Sequence, residues 1–167
     1  MKCQLFLLAG LSAGLWGTAA AQSASPVKLT LDQDLIRTVQ KDGKAAEERV
    51  SAPSSVLPGA VLIEEVTAQN VSGKVLNKIR VGVPIPQGTQ FLGSVTPSND
   101  RWTTQFTAAC AGKALAYAEA PLKCTETVEG KSVTREIKSS EYTNVRWLLD
   151  TLKPDETLKL SFRVKVN

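Results

Sequence analysis

PGAVLIEEVTAQNVSGKVLNKIRVGVPIPQGTQFL, residues 58–92, is the stretch that decides the fold. Pro58-Gly59 turns the chain into a run whose residues Leu62, Glu64, Val66 and Ala68 share one face, while Glu65, Thr67 and Gln69 share the other. That period of two belongs to a strand. Asn70 to Lys74 supplies the Asn, Ser and Gly of a tight turn, and the return run sets Ile79, Val81, Val83 and Ile85 against Lys78, Arg80 and Gly82. Two antiparallel strands are therefore predicted. Pro84 and Pro86 remove backbone donors, so pairing must stop there or move to a sheet edge.

Working outward, Gln87-Gly88 turns the chain, GTQFLGSV resumes as strand and TPSND at 96–100 breaks it. Before the deciding stretch, VKLTL at 27–31 alternates as a strand, and DLIRTVQ at 34–40 suits a strand or a short helical turn. KDGK at 41–44 favours a hairpin with EERVSA, and Pro53 to Pro58 reads as a linker. Beyond residue 100 the candidates are weaker, at 102–107, 114–118, 123–128 and 132–138, with hairpin tips at Gly112 and Gly130. Val145 to Leu149 is a further strand, turned at Lys153 to Glu156. The last run is the clearest: Leu158, Leu160, Phe162, Val164 and Val166 alternate with Lys159, Ser161, Arg163 and Lys165, so a slip of one residue would bury three cations. Short strands, frequent turns and no long helix predict an all-β antiparallel β-sandwich. A closed barrel is the competitor, and the proline bends at 84–86 suit a strand crossing between sheets better than a barrel wall.

Residues 1–21 carry the pattern of a cleaved signal peptide: Lys2, an apolar run from Leu5 to Trp16, and Ala19-Ala20-Ala21 before Gln22. The apolar run is shorter than the ~20 residues a membrane span needs and is broken by Gly10, Ser12, Gly14 and Gly17. An exported chain is therefore expected, in the periplasm, envelope or cell surface, and peripheral to a membrane at most. The mature part, about 146 residues of a chain that is 43% apolar, is enough for one domain with a core. Its organisation is read as 22–57, N-terminal strands and linker, and 58–167, a sandwich domain with an insertion at about 101–141. The formal charge of +4 is spread one or two cations at a time, which argues against nucleic acid as a partner.

Export implies oxidising conditions, under which Cys110 and Cys124 are expected to pair and to contribute ~3 kcal/mol. A metal or redox pair is disfavoured because the chain has no histidine and no further cysteine nearby. No cofactor is expected.

The run Pro58-Gly59-Ala60-Val61-Leu62 to Asn70, with Ser72-Gly73 and the return through Val83-Pro84-Ile85-Pro86 to Gly88-Thr89, resembles the bacterial DUF11 conserved-repeat domains. Tyr142 to Trp147, Leu152-Lys153-Pro154 and Ser161 to Val164 extend the resemblance, which covers about 58–167. It implies an immunoglobulin-like sandwich acting by structure and contact at the cell envelope, with no catalytic residues to carry over. The chain departs from the pattern at Asp155, where glycine is usual, at Glu64, where an aromatic is common, and in the cysteine-bearing insertion.

Candidate sites are few. Trp147, flanked by Leu148 and Leu149, is expected in the core, whereas Trp102 after SNDR is open between core rim and contact surface. Trp102 and Tyr117 form the candidate contact surface for a glycan. Glu64 and Glu65 point to opposite faces, Asp32 and Asp34 offer too few oxygens for calcium, and solvated charge is the expectation for all four. Asn70-Val71-Ser72 matches a glycosylation acceptor, although the turn accounts for it better. Serine catalysis lacks its usual histidine base. The expectation is a non-enzymatic structural or accessory component that binds envelope or surface proteins. A module for polysaccharide or another small envelope ligand is the alternative.

Overall fold

The computed structural model describes residues 25–167, so the signal peptide expected at residues 1–21 lies outside the described residues. The strands are β1 (Val27–Lys41), β2 (Lys44–Ser51), β3 (Val61–Asn70), β4 (Leu76–Pro84), β5 (Thr89–Val95), β6 (Trp102–Cys110), β7 (Lys113–Ala114), β8 (Lys123–Val128), β9 (Lys131–Glu136), β10 (Tyr142–Leu152) and β11 (Thr157–Val166). A 3₁₀ turn spans Ser139–Glu141. All named strand pairs are antiparallel.

A first sheet has the order β2-β1-β3-β11-β5, a second β4-β10-β6-β7, and β8-β9 stand apart as a hairpin. The inner rows of the two large sheets meet in one core, which fits the expected β-sandwich. Leu62, Val66 and Ala68 from β3 and Leu160, Phe162 and Val164 from β11 face Val81 and Val83 from β4 and Val145, Trp147 and Leu149 from β10. The register of β11 is as the alternation requires, with Phe162 opposite Glu64 and Val164 opposite Leu62. Trp147 is fully buried, and its indole Nε1 donates to the carbonyl of Thr96 at 3.1 Å.

DLIRTVQ is strand throughout, and Asp42-Gly43, both at positive φ, close the expected β1–β2 hairpin. β1 is longer than its alternating start implied because its first half pairs with β3 and its second half with β2. Pro84 and Pro86 do mark a crossing: β4 belongs to the second sheet and β5 to the first.

Three local expectations are corrected. β3 and β4 run antiparallel in sequence but do not pair, because each is claimed by different neighbours, β1 and β11 for β3 and β10 for β4. The turn after Asn70 is thus a passage between sheets. Asn70 is buried and anchors it: Nδ2 donates to the carbonyls of Lys74, Leu152 and Lys153 at 2.6, 2.9 and 2.9 Å, and Oδ1 accepts from Ser72. Second, 114–118 is not a strand. Only Lys113–Ala114 pairs regularly, and the chain then follows the β6 edge through single contacts such as Phe106 N to Ala118 O at 2.8 Å.

Third, Glu64 is not solvated. It lies in the inner row of β3, 1% exposed, and accepts a hydrogen bond from Gln33 Nε2 at 2.5 Å. Burial raises its pKa, and the Gln33 bond offsets part of that rise. Glu65 on the opposite face accepts from Lys159 at 2.7 Å and Arg49 at 3.1 Å, and these bonds, Lys159 foremost, hold its pKa down.

Candidate interaction surface

Cys110 ends β6 and Cys124 lies in β8, and the two are joined as a disulfide with their Cα atoms 5.5 Å apart. The bond ties the β8–β9 hairpin to the second sheet and fits an oxidising environment. No helix among the described residues is long and apolar enough to cross a membrane. Among the described residues no group of three or more His, Cys, Asp or Glu side chains is placed to hold a metal.

Trp102 and Tyr117 do not form one surface. Trp102 opens β6 in the inner row, half-buried against the core, with Nε1 donating to Pro97 O at 2.9 Å. It is core rim. Tyr117 sits on the outer side of the second sheet, where the Arg146 guanidinium lies 3.9 Å from its ring centroid. Arg146 is itself held by Gln105, whose Oε1 accepts from Nε at 3.2 Å and from Nη2 at 2.6 Å. One face of the Tyr117 ring is thus occupied by a cation. A glycan platform made of both rings has no common plane to use.

The outer face of the first sheet is charged and paired within itself. Besides the Glu65 cluster, Glu47 receives both terminal nitrogens of Arg163 at 2.8 and 2.6 Å, which lowers the Glu47 pKa. Between β5 and β6 lies a cavity of about 300 Å³ walled by Phe91, Phe106 and Tyr142. These rings pack mutually at centroid distances of 5.0 to 6.0 Å, so most of their faces are spent on one another.

The sheet edges are not alike. β2 carries exposed Lys44, Glu47, Glu48 and Arg49, charges that discourage further pairing, and β5 packs beside the 3₁₀ turn. β4 ends the second sheet with nothing paired on its far side among the described residues. Residues 71–75 carry the chain from β3 directly to β4, so the second sheet stops over β3 and β1 projects beyond it. The inner row of β1 records this: Leu29 and Leu31 stand opposite buried Ala68 and Val66 yet are 52% and 55% exposed. Val71 and Val75, at the foot of β4, are also exposed. Sequence patterning names Leu29 and Leu31 as inward residues, but it holds no signal for the width of the opposing sheet.

No family model matches the chain, and neither a curated protein nor a solved structure is significantly similar to it.

Proposed function

We propose that this chain is an exported, non-enzymatic module of immunoglobulin-like sandwich fold that acts as a structural or accessory protein-interaction component of the bacterial cell envelope. The observation that carries the reading is the apolar shelf of Leu29 and Leu31 beside the open edge of β4, because exposed apolar side chains next to unpaired backbone are what a protein partner covers. The pattern of residues 1–21, the Cys110–Cys124 disulfide and the DUF11 resemblance support an envelope location for that contact. The absence of histidine from the chain supports a role by contact over one by catalysis.

Cell fractionation with in-cell photocrosslinking from several surface positions tests this. The expected result is processed protein in the envelope fraction with a reproducible adduct to a specific envelope protein. Unprocessed protein in the cytosol, or envelope protein that yields no specific adduct from any position, would overturn it.

A further inference from the structure

We infer that β4 and the inner face of β1 form a slot for one additional strand, donated by another polypeptide and alternating apolar with acidic side chains. The inference rests on the protein-interaction role proposed above and supplies the chemistry of the partner.

Neighbouring strands in a sheet lie about 4.8 Å apart. A strand added beside β4 therefore lies one spacing outward, just as β1 lies one spacing outward from β3 in the opposite sheet. Its inward side chains descend on Leu29 and Leu31, and its backbone satisfies the donors and acceptors that β4 directs away from β10. The usable length is set by β4 itself. Lys78 sits at φ 56°, outside strand geometry, and Pro84 lacks a donor, which leaves Ile79 to Val83 as the regular edge.

Charge decides the remaining positions of the donated strand. The outward side of β4 presents Lys78 and Arg80, both exposed. Lys78 shares a solvent-exposed pair with Asp150 at 2.8 Å, and Arg80 has no side-chain partner among the described residues. Acidic residues at the outward positions of the added strand meet these cations across the new pair. A second copy does not fit the slot. Antiparallel pairing of two β4 strands about a two-fold axis normal to the sheet would bring β1 of one copy into the space of β3 of the other.

The test uses a synthetic peptide of about nine residues that alternates valine with glutamate, a valine–lysine version and a scrambled control, with the chain from Gln22 onward prepared in oxidised form. Hydrogen exchange is read at the amides of residues 79–83, and affinity is measured by titration. The valine–glutamate peptide is expected to protect those amides and to bind more tightly than either control. The variant L29S/L31S alters exposed side chains only, keeps its thermal midpoint and loses affinity by about tenfold or more. Arg80→Glu reverses the preference towards the valine–lysine peptide. Unprotected 79–83 amides at saturating peptide, equal affinity in L29S/L31S, or protection that rises with protein concentration alone each overturn the slot, the last by giving it to a second copy. Photocrosslinkers at positions 31 and 117 separate this from the broader proposal: envelope adducts from 117 but none from 31 sink the slot and leave the interaction role standing.

Discussion

In β11 the inward residues Leu160, Phe162 and Val164 are sealed between β3 and β5 and against the second sheet, whereas every residue of β9, from Lys131 to Glu136, is exposed. Both are strands, but different forces make them so. β11 is held by apolar burial on one face of a sheet with neighbours on both sides. β9 has one neighbour, β8, and the pair is closed by Glu129 and Gly130 at positive φ, a tight turn of the hairpin kind. An isolated hairpin is marginal in water, so the base of this one matters. There Cys124, Leu122 and Ile137 are buried in the common core, and the disulfide to Cys110 adds a covalent tether. Arg135 also clamps Glu141 with two nitrogens at 3.0 and 2.9 Å. The body of the molecule rests on packing, and the arm rests on its anchorage.

The comparison breaks most readily at Trp147. Trp147→Ala removes a fully buried indole from the centre of the body and is expected to cost about 3–5 kcal/mol in urea unfolding. A cost below about 1 kcal/mol would show that the core repacks and that burial does not separate body from arm. Next comes reduction of Cys110–Cys124, expected to cost ~3 kcal/mol. Hydrogen exchange should quicken first at 123–136 while 158–166 keeps its protection; equal loss in both would mean the tether serves the body as well. Asn70→Ala removes the anchor of the passage between sheets and strips bonds from three carbonyls, a loss of about 2 kcal/mol by equilibrium unfolding.

A smaller effect sharpens the picture of the body by pH. The folded pKa of Glu64 is raised by burial above its ordinary value of 4.5, so the folded state holds the proton more tightly than the unfolded chain. Its contribution is complete below about pH 4.5 and is lost as pH rises through the folded pKa. Glu64→Gln should therefore gain on the wild type as pH rises from 4.5 to 8, measured as the difference in unfolding midpoint. Glu65 and Glu156, held low by Lys159 and by the Lys153 backbone respectively, have the opposite sign and lose their contribution as pH falls. They are common to both proteins and cancel in the difference. A flat difference would place Glu64 in contact with water. Smallest of all, Val133→Thr in the exposed arm should change stability by no more than about 0.5 kcal/mol.

Much of the body was legible because local chemistry repeats there. The alternation of Leu158 to Val166 sets both the strand and its register, and Pro84 and Pro86 mark the end of β4 and the crossing to the other sheet. Asp42-Gly43 and Glu129-Gly130 name their hairpins through backbone geometry alone. What escaped depends on distant neighbours. The turn chemistry of Asn70 to Lys74 suits a hairpin and a passage between sheets equally, and the choice lies with β1 and β11 claiming β3. Glu64 reads as a charge, but its row carries it inside, where Gln33 from another strand meets it. Trp102 and Tyr117 are both aromatic and both within the insertion, yet one faces inward at the rim and the other outward under Arg146.

By itself, then, the sequence determined an all-β chain, most strand positions, the inner and outer row of each well-alternating strand, and a cysteine pair suited to an oxidising compartment. The tertiary structure alone decided which strands share a sheet and how far each sheet extends. Leu29 and Leu31 carry the same inward signal as Leu160 and Phe162, but no strand among the described residues lies across from them. Alternation records which side of a strand is apolar, and the reach of the opposing sheet comes only from the assembled fold.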